Sequence, residues 1–196
     1  MRGGALSKRA AVKALFFYML YRCGLIRNGH ILRKRAYLCM AGLRVEDCER
    51  ICNQYADARV AHVFKEAQYT IRWHRDQGHI LVLLSSSLDP VVNGFARHLG
   101  ISHCRGTEIA SADGMLTGMI SGVDPWGSGK VAIAAAICQI HSVSPMSCYA
   151  YADHWSDLPL LQFVGHPMAI NPDRNFKNTA ARAGIPVAIW SLEKTF

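Results

Sequence analysis

Tyr149-Ala150-Tyr151-Ala152-Asp153-His154-Trp155-Ser156-Asp157-Leu158 decides how this chain of 196 residues is read. A short apolar run follows the turn-prone pair Ser144-Pro145, ends in one acid, and meets a second acid four residues on. Such a run predicts a buried parallel strand. In an open α/β sheet, ligands bind beyond the carboxyl ends of strands. Asp153 is therefore expected at a strand end, and Asp157 in the turn or helix start beyond it. Two carboxylates at this spacing can share one small site, and carboxylate oxygens suit Mg²⁺.

Outward from this stretch, the same grammar repeats. His79-Ile80-Leu81-Val82-Leu83-Leu84 reads as a strand buried on both faces, with Ser85-Ser86-Ser87 at its end. Asp89-Pro90 opens a helix to Leu99, where proline's missing N–H costs nothing, and Gly100 closes it. Ile101–Arg105 is expected as a short strand. Asp113-Gly114 predicts a hairpin turn. Gly127-Ser128-Gly129-Lys130 precedes an alanine-rich helix ending near His141. Further expectations are a helix over 158–163, strands at 167–170 and 186–190, and a helix over 173–183 stopped by Gly184. This strand–helix alternation indicates an α/β fold with a Rossmann-like parallel sheet. Residues 7–75 read instead as an N-terminal helical cap, with helices near 15–26, 31–40, from Val45, and 58–75. The expected division is a cap over 7–75 and a core over 76–196.

Charge follows that division. Of the net +8, residues 1–75 hold 15 Lys/Arg against 5 Asp/Glu, and residues 76–196 hold 7 against 9. A basic cap can attract phosphorylated substrates or an anionic membrane surface, but the favoured reading is a solvated helical face. Arg33-Lys34-Arg35 lacks the interleaved aromatics of a single-strand binder, so nucleic acid is not expected. The apolar stretch Ala14–Tyr21 falls short of the ~20 residues that cross a bilayer. Seven cysteines, odd in number and without a C-x-x-C, suggest reduced thiols and a cytoplasmic setting. Cys48 and Cys52, one helical turn apart, read as two buried thiols ahead of a metal site with His62.

With these residues in view, the chain resembles the haloacid dehalogenase superfamily, in its subfamily IB branch of phosphoserine-phosphatase-like hydrolases. The second family motif matches Leu81-Val82-Leu83-Leu84-Ser85, the third matches Gly129-Lys130, and the fourth matches Asp153 with Asp157. Val164-Gly165-His166-Pro167-Met168-Ala169-Ile170-Asn171-Pro172-Asp173 suits the same branch. The resemblance implies a Mg²⁺-dependent phosphomonoester hydrolase acting on a small phosphorylated metabolite. It implies phosphate binding by Ser85, Ser86 and Lys130, and catalytic roles for Ser85, Lys130 and Asp157. Asp153 would hold Mg²⁺ directly, and Asp157 would orient the Mg²⁺ shell or Lys130.

The family's first motif, Asp-x-Asp-x-Thr after an apolar strand, does not match: the first aspartate is Asp47. The attacking carboxylate and the acid–base carboxylate are thus not found, nor is the first strand of the core. The expectation is a chain beginning just past that motif, through an upstream start, a truncation or a decayed paralogue. Such a chain is expected to be inactive and of marginal stability, or to close its sheet by rearrangement. The alternative is a non-catalytic remnant, a pseudoenzyme, that binds Mg²⁺ or an anion. Plainer roles remain open for three residues: Ser85 as a turn hydroxyl, Lys130 as a solvent-facing lysine, Asp157 as an N-cap. His154 stands where the family favours a small residue and is followed by Trp155, and bulk there is expected to crowd the site.

Overall fold

The computed structural model describes residues 29–191. The helix expected near 15–26 lies outside them. Among the described residues, no helix is long and apolar enough to cross a membrane.

The chain runs α1 (Gly29–Leu38), α2 (Val45–Arg59), a 3₁₀ turn (Val60–His62) and α3 (Lys65–Asp76). Then come β1 (Val82–Leu88), α4 (Asp89–Leu99), β2 (His103–Ala112), β3 (Met115–Ser121) and α5 (Ser128–Ile140). The second half holds β4 (Tyr149–Ala152), a 3₁₀ turn (Trp155–Asp157), α6 (Leu158–Phe163), β5 (His166–Ile170), α7 (Arg174–Arg182) and β6 (Val187–Ala188).

The strands form two three-stranded sheets. In one, β1 lies parallel to β2, and β2 antiparallel to β3. In the other, β4, β5 and β6 are all parallel. Among the described residues, β1 and β4 are not paired with each other, and both line a common cavity. Among the described residues this is an α/β, Rossmann-like arrangement.

Each sheet has its own core. Leu161 and Phe176 are fully buried between β4–β5 and helices α6 and α7, together with Ala169 and Ala180. Asp173 caps α7 by accepting the Phe176 N–H at 2.7 Å. On the other side, Cys48, Cys52 and Leu116 pack with Leu43, Val91 and Ile109. The two thiols face each other at 3.9 Å, while His62 is exposed. Their hydrogen bond raises the Cys52 pKa and lowers that of Cys48.

The hairpin turn forms as its sequence demands, with φ of 51° at Asp113 and 74° at Gly114. Its second strand receives the helical segment: Gly42 donates to the Leu116 carbonyl and Leu116 to the Leu43 carbonyl, both at 2.8 Å. Gly118 makes this close approach possible. It sits at φ 79°, and a Cβ there would lie 2.8 Å from the Cα of Leu38.

Several boundaries differ from the sequence reading, among them the last strand, expected over 186–190 and observed as Val187–Ala188. The strand expected at 79–84 starts at Val82 and runs on to Leu88, through the serines. His79 instead belongs to the turn closing α3, where its N–H reaches the His74 carbonyl. The strand expected at 101–105 extends from His103 to Ala112 because β2 pairs on both sides. The helix expected over 58–75 breaks, since Val63 and Phe64 take extended backbone angles between the 3₁₀ turn and α3.

Candidate functional site

The carboxyl ends of β1 and β4 share the rim of a cavity of about 1080 Å³. Ser85, Ser86, Lys130, Asp153 and Asp157 all line it, together with Arg33. The five residues named from sequence are therefore brought together.

Lys130 enters from the first turn of α5. A cation at a helix N-terminus is electrostatically unfavourable, and here it is also buried. Its Nζ lies 2.7 Å from Oδ2 of Asp157, and both side chains are 8% exposed. The geometry leaves no solvent-facing lysine. The turn that delivers it depends on Gly129, where a Cβ would sit 1.9 Å from the Asp124 carbonyl oxygen.

Asp157 is committed to that pair. It stands at the N-cap of α6 but makes no side-chain capping bond. Its Oδ1 instead lies 3.4 Å from the Ser156 hydroxyl. His154 caps the preceding 3₁₀ turn, its Nδ1 accepting the Ser156 N–H at 3.2 Å. His154 and Trp155 both set their rings against Trp126, at 5.6 and 6.1 Å between centroids.

Asp153 differs from Asp157. It is exposed, at the end of β4, and has no hydrogen-bond or ion-pair partner among the described residues. A single free carboxylate opening on a cavity fits Mg²⁺, which is held by one or two carboxylates, water and substrate phosphate. Among the described residues no cluster of three or more His, Cys, Asp or Glu forms a closed metal cage.

Ser85 does make a local turn bond, accepting the Ser87 N–H at 3.1 Å. That bond uses an oxygen lone pair and leaves the hydroxyl proton free to donate. The Ser86 carbonyl accepts from Arg33, from the Tyr37 hydroxyl at 2.8 Å and from the Thr107 hydroxyl at 3.0 Å. The serine run is thus held in strand form through the Ser86 carbonyl, and Ser85 lines the cavity.

Arg33 is the residue the sequence reading missed. Its guanidinium bonds Thr107 Oγ1 at 2.8 Å and the Ser86 carbonyl at 3.1 Å, pairs with Asp124, and lies over the Trp126 ring. It ties α1 to the strand end bearing Ser85. Its partners lie 53 to 91 residues away in sequence, so a short basic run carried no sign of them.

The far end of the cavity is aromatic. His74 is buried, with Nδ1 at 2.8 Å from Nδ1 of His79 and Nε2 at 2.9 Å from the Tyr151 hydroxyl. Burial, then the neighbouring His79, lower the pKa of His74. Burial raises that of Tyr151.

Comparisons with known proteins bear on the family and the fold. Residues 1–162 match the family model for haloacid dehalogenase-like hydrolases. A probable phosphatase of Mycobacterium tuberculosis is 31% identical over 191 residues, covering 96% of this chain and 66% of that protein. The chain thus spans just under two thirds of the relative's length. A Bordetella pertussis protein of unknown function shares the fold with a TM-score of 0.73 at 22% identity, over 95% of this chain and 84% of that one. A phosphoserine phosphatase solved as a phospho-aspartyl intermediate analogue shares it with a TM-score of 0.69 at 18% identity, over 96% and 85%.

Proposed function

The chain belongs to the haloacid dehalogenase-like hydrolase family, and on that premise we propose that it carries the phosphate-binding and metal-binding half of a phosphomonoester hydrolase site. The observation that carries this reading is the free carboxylate of Asp153 sharing a rim with Ser85 and the buried Lys130–Asp157 pair. The ligand class is a small phosphorylated metabolite.

The roles follow from what each atom has left to offer. The Ser85 hydroxyl donates to a phosphate oxygen. The Lys130 ammonium uses one of its donors on Asp157 and keeps others for anionic oxygens. Asp157 orients Lys130, since a buried charge needs a fixed partner. Asp153 would hold Mg²⁺, which offsets phosphate charge and fixes its orientation when bound. Arg33 sets the Ser85–Ser86 backbone against the cap helix.

The family reaction also needs a carboxylate that attacks phosphorus and a second that protonates the leaving group. No Asp-x-Asp-x-Thr occurs in these 196 residues. The reading is therefore of a chain that binds Mg²⁺ and a phosphate group without hydrolysing an ester.

Titration calorimetry with inorganic phosphate tests it. Binding is expected to require Mg²⁺, to weaken in Ser85→Ala, and to be lost in Asp153→Asn. Equal phosphate binding with and without Mg²⁺, unchanged in both variants, would contradict it.

A further inference from the structure

We propose that Cys138 and Cys148 form a peroxide-responsive dithiol, which closes into a disulfide that staples the carboxyl end of α5 to the amino end of β4. The pair lies at the opposite ends of these elements from Lys130 and Asp153, and the inference does not depend on the phosphatase reading.

Among the described residues two pairs of thiols face each other, and their settings differ. Cys48 and Cys52 are both buried and lie four residues apart on α2. Positions four apart on a helix hold their Cβ atoms about 5–6 Å apart. A disulfide spans only ~3.5–4.5 Å between Cβ atoms, so that pair serves the core. Cys138 and Cys148 belong to separate parts of the chain, ten residues apart in sequence, with sulfurs at 3.7 Å. Both are only partly buried. Ile140 and Met146, two residues from each, are 76% and 61% exposed. A small oxidant therefore reaches this corner from solvent. The joining residues 141–147 are mostly exposed and hold no strand or α-helix. They can give by the amount that brings the sulfurs to the ~2 Å of a disulfide bond.

The two thiols are not equivalent. Cys148 donates to the Ser144 carbonyl at 3.4 Å. Burial, then the Cys138 thiol, push its pKa up to about 11. Cys148 thus keeps its proton, and Cys138 is the thiol that attacks. Its thiolate attacks one oxygen of a hydroperoxide: an S–O bond forms, the O–O bond breaks, and the departing oxygen takes up a proton. The Cys148 sulfur then attacks the sulfenic sulfur. An S–S bond forms, the S–O bond breaks, and the hydroxyl leaves as water with the Cys148 proton. Two electrons pass from the thiols to the peroxide, and with hydrogen peroxide the sum yields one disulfide and two waters. The bond restrains the unfolded chain, so oxidation raises the stability of the fold.

Hydrogen peroxide in small excess over the 196-residue chain, then N-ethylmaleimide, trypsin and mass spectrometry, tests the proposal. The tryptic peptide 131–174 holds Cys138 and Cys148 and no other cysteine. After peroxide it is expected unalkylated and lighter by two hydrogens, and doubly alkylated once dithiothreitol has been added. Cys138→Ser and Cys148→Ser should each abolish the lighter peptide, while Cys48→Ser should leave it. The oxidised chain should also melt at a higher temperature than the reduced one. A doubly alkylated peptide after peroxide would overturn the proposal. So would a cysteine carried on to sulfinic acid, disulfide-linked dimers of the chain, or a melting temperature that oxidation does not raise.

Discussion

The ammonium of Lys130 lies 2.7 Å from Oδ2 of Asp157, across 27 residues of sequence, with both side chains almost out of water. The pair joins the start of α5 to the turn after β4 and so fixes one side of the site. Removing one member leaves the other charge buried and alone, which costs about 3–5 kcal/mol. Lys130→Met and Asp157→Leu should each destabilise by that amount in urea unfolding. The double variant should recover most of the loss, because no unpaired charge remains. Strictly additive losses would show that the two side chains do not depend on each other.

Gly118 tests the docking of α1 on the hairpin. Its φ of 79° and the backbone of Leu38 at 2.8 Å from a Cβ both oppose a side chain. Gly122 has φ 65° but nothing within 4 Å of a Cβ. Gly122→Ala should cost about 1–2 kcal/mol, the left-handed penalty alone. Gly118→Ala should cost clearly more, read as a lower urea midpoint. Equal midpoints would mean that α1 is not seated on β3 as described.

His74 gives a pH dependence with a defined sign. Burial lowers its pKa in the fold, so the folded chain favours the neutral ring. An unfolded histidine takes up a proton near pH 6.5. As pH falls through that value, the unfolded chain binds more protons than the folded one, and stability drops until the lowered folded pKa is reached. Above pH 6.5 the contribution is fully present. Unfolding free energy should therefore decline from pH 7 towards pH 5, and His74→Gln should flatten that decline. An identical slope in the variant would assign it to other groups.

The legible part of the fold was local chemistry. Asp113-Gly114 prescribed its turn because two consecutive positive φ values favour those residues. Asp153 and Asp157 marked a strand end because an acid finishing an apolar run has little structural reason to be there. Lys130 stood out as a cation at the wrong end of a helix. What stayed hidden depended on distant partners. The serines were expected at the end of the strand, yet β1 runs on through them to Leu88, with the Ser86 carbonyl held by Arg33, Tyr37 and Thr107. Arg33 read as surface charge, because nothing in its neighbourhood announced Thr107 or Asp124. The break between α2 and α3 carries no glycine or proline, so helical spacing ran through it.

The function proposed for these residues is the binding half of a phosphatase site, and no Asp-x-Asp-x-Thr occurs among the 196 residues. Hydrolysis of p-nitrophenyl phosphate by the 196-residue chain with Mg²⁺ tests it most directly. The expected result is release of p-nitrophenol no faster than the Mg²⁺ blank, and the same in Asp153→Ala. Steady turnover that vanishes in Asp153→Ala would contradict the account, because an attacking group would then have to lie within this chain.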